Sequence, residues 1–115
     1  MPELQGHTIE VNAEGLRWIA AERARQIVTG YTPDHDAEHG PDELIRAAFA
    51  YAAQAQDRIA EAAGEDLGDR EGPDAWWPWD ASTFSPSDDA VESLAKAGAL
   101  IAAALDVELA RRGPQ

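Results

Sequence analysis

The chain has no cysteine among its 115 residues, a single lysine, Lys96, and only two phenylalanines and two tyrosines. Without thiols there is no disulfide, zinc-thiolate centre, iron–sulfur cluster or cysteine nucleophile, so any metal must be held by His, Asp or Glu. No apolar run approaches the roughly 20 residues that span a bilayer, and Met1-Pro2-Glu3-Leu4-Gln5 lacks the basic and apolar regions of a signal peptide. These absences predict a cytoplasmic protein with no membrane partner. Bases are scarce as well, nine Lys and Arg against 22 Asp and Glu, for a formal charge of -13. Binding to nucleic acid draws most of its strength from clustered Lys and Arg, so no direct nucleic-acid ligand is expected. From Glu61 to Glu92 ten acids are accompanied by one base, Arg70. Such a surface serves solubility or, less commonly, imitates a nucleic-acid backbone toward a basic partner protein.

At this length one domain with a single core is expected. Residues 1–12 hold one brief alternation, His7-Thr8-Ile9-Glu10-Val11, and read as a short N-terminal extension ahead of a helical domain over 13–113. The fold class is all-α: a small bundle of three main helices with a Trp-rich loop packed across it. The first helix, 13–29, follows the N-cap residue Asn12. It repeats Leu16, Ile19, Ala20, Ala24 and Ile27 as an apolar stripe until Gly30 and Pro33 stop it. The second, 41–63, has Pro41 at its first position and Asp42 and Glu43 at the positive end of its dipole; Leu44, Ile45, Ala48, Tyr51, Ala52, Ala55, Ile59 and Ala62 mark its stripe before Gly64. The third, 86–112, opens with Ser85, Pro86 and Asp88 in a capping pattern, and Val91, Leu94, Gly98, Ile101, Leu105 and Leu109 form its stripe. A glycine inside a helix costs about 1 kcal/mol relative to alanine, so Gly98 points to a close neighbour, a lid tryptophan or another helix.

Two connecting segments carry the chemistry. In the site loop 30–40, His35 and His39 stand four apart with Asp36 beside the first. On a helix the imidazoles would share a face as metal ligands do, whereas Pro33 and Gly40-Pro41 argue for a loop in which these residues cap and turn. The acidic and Trp-rich loop 64–85 contains Trp76-Trp77-Pro78-Trp79-Asp80. A loop of this length is usually functional or disordered, and three tryptophans, each able to bury roughly 200 Å², favour a lid folded over the helices. Trp77 and Trp79 then complete an alanine-rich core or also wall a small-molecule pocket. Asp80 orients a ligand hydroxyl or caps the turn, and Lys96 snorkels from the core edge or reaches an anion.

Five blocks resemble, in order and spacing over about residues 16–112, a small family of bacteriophages and prophages that includes the Ead-like proteins of lambdoid early regions. They are Ile19-Ala20-Ala21-Glu22-Arg23-Ala24-Arg25-Gln26-Ile27; Gly30-Tyr31-Thr32-Pro33-Asp34-His35-Asp36 with His39; Ala47-Ala48 with Tyr51-Ala52; Trp77-Pro78-Trp79-Asp80; and Leu94-Ala95-Lys96-Ala97-Gly98-Ala99-Leu100-Ile101. The resemblance implies a phage accessory protein in the host cytoplasm and no particular activity. The chain departs from the pattern at Ala37, where a second acid is expected, and at Ser87, Asp88 and Asp89, where bases are. From Glu22 to His39 it is also similar, more weakly, to the start of the RyR domain, a small helical module linked to nucleotide signals. That similarity implies a nucleotide-derived ligand. By residue chemistry Arg23 or Arg25 would take phosphate, Tyr31 and Trp79 would stack on a base, and Asp36 or Asp80 would take ribose hydroxyls.

Three functions are weighed. The first is non-catalytic binding of a small nucleotide-derived ligand, possible sequestration of a host defence signal, with Arg23, Tyr31, His35, Asp36, His39, Trp77, Trp79, Asp80 and Lys96 as ligand-binding residues and no cofactor. An acidic protein repels anions at long range, so this requires a locally basic pocket made from Arg17, Arg23, Arg25, Arg46 or Lys96. The second is a metal-dependent nucleotide hydrolase in which His35, Asp36 and His39 hold the metal that activates water. The third is an acidic protein-binding inhibitor or nucleic-acid mimic. Alanine-rich faces also permit a homo-oligomer.

Overall fold

The computed structural model describes residues 13–30 and 33–113, so the extension 1–12 and Tyr31 lie outside the described residues. Three α-helices carry the fold, α1 (Glu14–Val28), α2 (Pro33–Ala62) and α3 (Ala90–Arg112), with 3-10 turns at Pro73–Trp76 and Ala81–Thr83 between the last two. It is an all-α bundle, and no helix among the described residues is long and apolar enough to cross a membrane.

The segment expected as a loop over 30–40 is instead helical from Pro33, and α2 is broken only at Gly40, with φ 83° and ψ 160°. Pro33 therefore starts a helix, a position its missing N–H suits. The break follows from Pro41, whose ring disfavours helical geometry in the residue before it and which has no N–H to bond backwards. Glycine takes the positive φ at little cost. The helix then resumes at Pro41. At the other end of the chain, α3 starts at Ala90, later than the Ser85-Pro86 pattern suggests. The cap is Asp89, whose Oδ1 accepts from the Val91 N–H at 2.9 Å. Ser87 Oγ accepts from the Asp89 N–H at 3.0 Å and donates to Glu92 Oε2 at 2.7 Å, holding the approach to the helix.

The core lies between α2 and α3, where Leu44, Ala48 and Tyr51 meet Leu100, Ala103 and Ala104. Gln54 Nε2 donates to Ser87 O at 3.0 Å, and Arg58 stands 3.9 Å from Asp88. The start of α3 thus lies beside the C-terminal half of α2, and the two helices run antiparallel.

Burial reverses the expected α3 stripe. Val91, Leu94, Ile101, Leu105 and Leu109 are 49–57% exposed, while Ala95, Ala97, Ala99, Ala103 and Ala104 face inward. Alanine lets two helix backbones approach closely, so the small residues take the interface and the large ones remain outside. On α2 the split is internal: Leu44, Ala48, Tyr51 and Ala55 are buried, whereas Ile45, Ala52, Ile59 and Ala62 are exposed. On α1 only Ile19 of the expected stripe is half-buried; Leu16, Ala20, Ala24 and Ile27 are exposed, and the covered arc carries Glu22, Arg23 and Gln26.

Gly98 explains how α1 docks. A Cβ built there would stand 2.6 Å from Ile19 Cδ1 and 2.7 Å from Ile19 Cγ1, so the close neighbour is α1 itself. Isoleucine is stiff at χ1 and cannot simply swing aside. Gly98→Ala is therefore expected to destabilise the protein by about 1–2 kcal/mol through overpacking, despite a gain of about 1 kcal/mol in helix propensity. In urea unfolding, Gly98→Ala combined with Ile19→Ala should lose less than the two single changes added together.

Candidate functional site

Where α1 leans over the α2–α3 pair, its polar arc, the tryptophan loop and α3 border a half-open cavity of about 560 Å³. This is the size of a small-molecule site, commonly about 300–1,000 Å³. Its aromatic walls are Trp18 from α1, Tyr51 from α2, and Trp77 and Trp79 from the loop.

The loop is held by its own hydrogen bonds. Trp77 Nε1 donates to Asp80 O and to Thr83 Oγ1, each at 3.1 Å, and Thr83 Oγ1 donates to the same carbonyl at 2.6 Å. Asp80 Oδ1 accepts from the Ser82 N–H and from Ser82 Oγ, both at 2.9 Å. The Ser82 backbone bond first, and its hydroxyl second, hold the Asp80 carboxyl below its ordinary value of 3.8. Asp80 thus caps the second 3-10 turn and faces solvent rather than the cavity. Trp77 then meets Tyr51, Trp79 and Phe84 at ring-centroid distances of 5.5, 5.1 and 5.0 Å. Trp77 and Trp79 both complete the core and wall the cavity.

Charge around the cavity is balanced. Of the five candidate bases only Arg25 and Lys96 line it, together with Glu22 and Glu92. Arg25 forms a two-point ion pair with Glu22, Nε to Oε2 at 3.0 Å and Nη2 to Oε1. Lys96 Nζ donates to Ser85 O at 3.0 Å and stands 5.4 Å from the centroid of the Tyr51 ring. Arg23 is drawn away from the cavity, with its guanidinium 4.0 Å from Asp106 on α3.

One cavity group stands out by what it lacks. Gln26 is 6% exposed, and its Oε1 has no hydrogen-bond partner among the described residues. The indole Nε1 of Trp79 is also buried without an acceptor there. A buried polar atom left unpaired costs about 1–3 kcal/mol, so native proteins rarely keep one without a use for it.

The histidines form a separate cluster behind Trp79. His35 Nε2 and His39 Nε2 are 3.1 Å apart, a hydrogen bond in which one ring donates and the other accepts. The His39 ring packs at a tilt against Trp79, with centroids 5.0 Å apart, and its Nδ1 is 3.6 Å from Glu43 Oε2. The two rings share a face because the segment is helical, yet no group of three His, Asp or Glu able to hold a metal occurs among the described residues. The Asp36 side chain lies outside the described residues.

Of the sequence-predicted residues, Trp77, Trp79 and Lys96 converge on the cavity, His35 and His39 lie behind its wall, and Arg23 and Asp80 point elsewhere. The sequence reading missed Gln26 and Trp18. A usable signal for Gln26 was its place seven residues after Ile19, on the arc of α1 that docks.

The fold and site define a small three-helix bundle with an aromatic-walled cavity beside its core. No model of a known family, no curated protein and no solved structure matches the chain.

Proposed function

We propose that the protein binds a small nucleotide-derived ligand without transforming it, as a phage-type accessory protein that takes a host defence signal out of solution. The observation that carries this reading is the buried Gln26 Oε1, without a hydrogen-bond partner among the described residues, beside an aromatic-walled cavity. A nucleobase meets both needs, offering flat faces to tryptophan and tyrosine rings and an N–H edge to an amide oxygen. Arg25 and Lys96 are the cavity's two bases, and an incoming phosphate would compete with Glu22 for Arg25 and with Ser85 O for Lys96. The balanced charge favours a ligand with few phosphates over a polyphosphate.

Calorimetric titration tests the assignment. Arg25→Ala and Lys96→Ala are each expected to weaken nucleotide binding about tenfold or more, the cost of a charge-assisted hydrogen bond of roughly 1.5–3 kcal/mol, and to leave the parent nucleoside's affinity unchanged. Wild-type nucleotide affinity in both variants would refute the reading.

A further inference from the structure

On both long helices a step of two residues, roughly 160° around the axis, separates the cavity side from an apolar side left exposed among the described residues. Tyr51 and Lys96 face the cavity, whereas Phe49 and Leu94 face away and meet in a shallow groove with Ile59 and Trp76. Ile101, seven residues beyond Leu94, continues the same side of α3, and Ile45 continues that of α2. The spacing is that of a helix-packing seam: Ile45, Phe49, Ala52, Gln56 and Ile59 advance by alternating steps of four and three, and on α3 Leu94, Ile101 and Leu105 follow at steps of seven and four, beside Gly98, where Ile19 of α1 packs. An exposed seam of this period fits helices.

We infer that this face is the interface of a homodimer, in which the α2–α3 pairs of two copies form a four-helix layer around a two-fold axis near Ile101. Charge permits a second copy here. Two chains of formal charge -13 repel each other, and a strip without acids keeps carboxylates out of the contact itself. The seam positions of α2 and α3 just named carry no acid, and the next step on α3, Glu108, is paired with Arg111 at 2.8 Å. A two-fold axis near Ile101 runs the two α3 helices antiparallel. It brings Arg112 at the end of one α3 toward Asp88 and Asp89 at the start of the other, so the same patch is complementary to itself. The size also fits. Ile45, Phe49, Ile59, Leu94, Ile101 and Leu105 are 39–57% exposed. At roughly 100 Å² of apolar surface apiece they give on the order of 600 Å² per copy, to which rim residues such as Trp76 add, near the roughly 800 Å² one partner contributes to a stable interface.

Sedimentation equilibrium of the full chain, with cysteine cross-linking, tests the inference. The wild-type protein should sediment at twice its chain mass of 12.4 kDa, and Ile101→Glu at the chain mass with an unchanged helical circular-dichroism spectrum. Because the chain has no cysteine, Ile101→Cys introduces a lone thiol beside the axis. On mild oxidation it should form a covalent dimer, while Glu65→Cys, in the exposed loop after α2, should not; this arm decides the question if Ile101→Glu fails to fold. A wild-type monomer at high micromolar concentration would overturn the inference and assign the face to a different helical partner. A dimer that survives Ile101→Glu, or cross-links no better through Ile101→Cys than through Glu65→Cys, would overturn it as well.

Discussion

Gln26→Leu is expected to make the empty protein more stable and to remove its ability to bind ligand. The buried Oε1 of Gln26 has no partner among the described residues, a cost of about 1–3 kcal/mol that a leucine of similar volume does not incur. A gain near 1 kcal/mol corresponds to a rise of about 4–8 °C in Tm for a domain of this size. Binding should move the other way, because a ligand N–H that meets leucine is desolvated with nothing to accept it. The expected loss is at least tenfold in Kd. Thermal melts with and without ligand measure both effects. A variant that gains stability and still binds as tightly as wild type would separate Gln26 from the site; a variant that loses stability would mean that the amide has a structural partner.

Trp77→Ala is the change expected to cost the most stability. The indole packs on Tyr51, Trp79 and Phe84 and donates to Asp80 O and Thr83 Oγ1, so its removal empties the joint between loop and core. Truncating a buried tryptophan costs about 3–5 kcal/mol, a large part of the 5–15 kcal/mol that holds a typical domain together. Trp77 is only partly buried, which places the expectation at the lower end, about 3 kcal/mol. Its neighbour is the control. Trp76 is 48% exposed and touches Phe49 edge-on at 5.3 Å, so Trp76→Ala should cost about 1 kcal/mol or less. Urea denaturation of the two variants should show that ordering; equal midpoints would mean that the loop does not rest on Trp77.

The sequence was legible where backbone rules dominate. The three helices follow from Pro41, Gly64, the long alanine-rich runs and Gly113, and the lid tryptophans stood out because nothing else in an acidic loop would hold it to a core. Faces were harder to read. In α3 the pattern Leu94, Ile101, Leu105 is what a buried stripe looks like, yet alanines on the opposite side permit a closer contact with α2, and close contact decided which side turned in. α1 misled for a related reason. It docks through Ile19 against Gly98 and through Arg23 beside Asp106, and Glu22 and Gln26 on its covered arc are polar because they border a cavity rather than a core. The helical turn from Pro33 to His39 was missed because Pro33 was read as a stop. Arg23 and Asp80 were chosen by chemistry alone, and both have partners of their own, Asp106 and Ser82, that only the fold brings within reach.

Native mass spectrometry of the protein as purified from cells addresses the central claim most directly. Binding of a nucleotide-derived ligand in the Gln26 cavity predicts an adduct of nucleotide mass at one per chain, present in the wild type and absent from Gln26→Leu. An adduct retained equally by Gln26→Leu, or a wild-type spectrum that stays free of adduct even after addition of millimolar nucleotides, would contradict it.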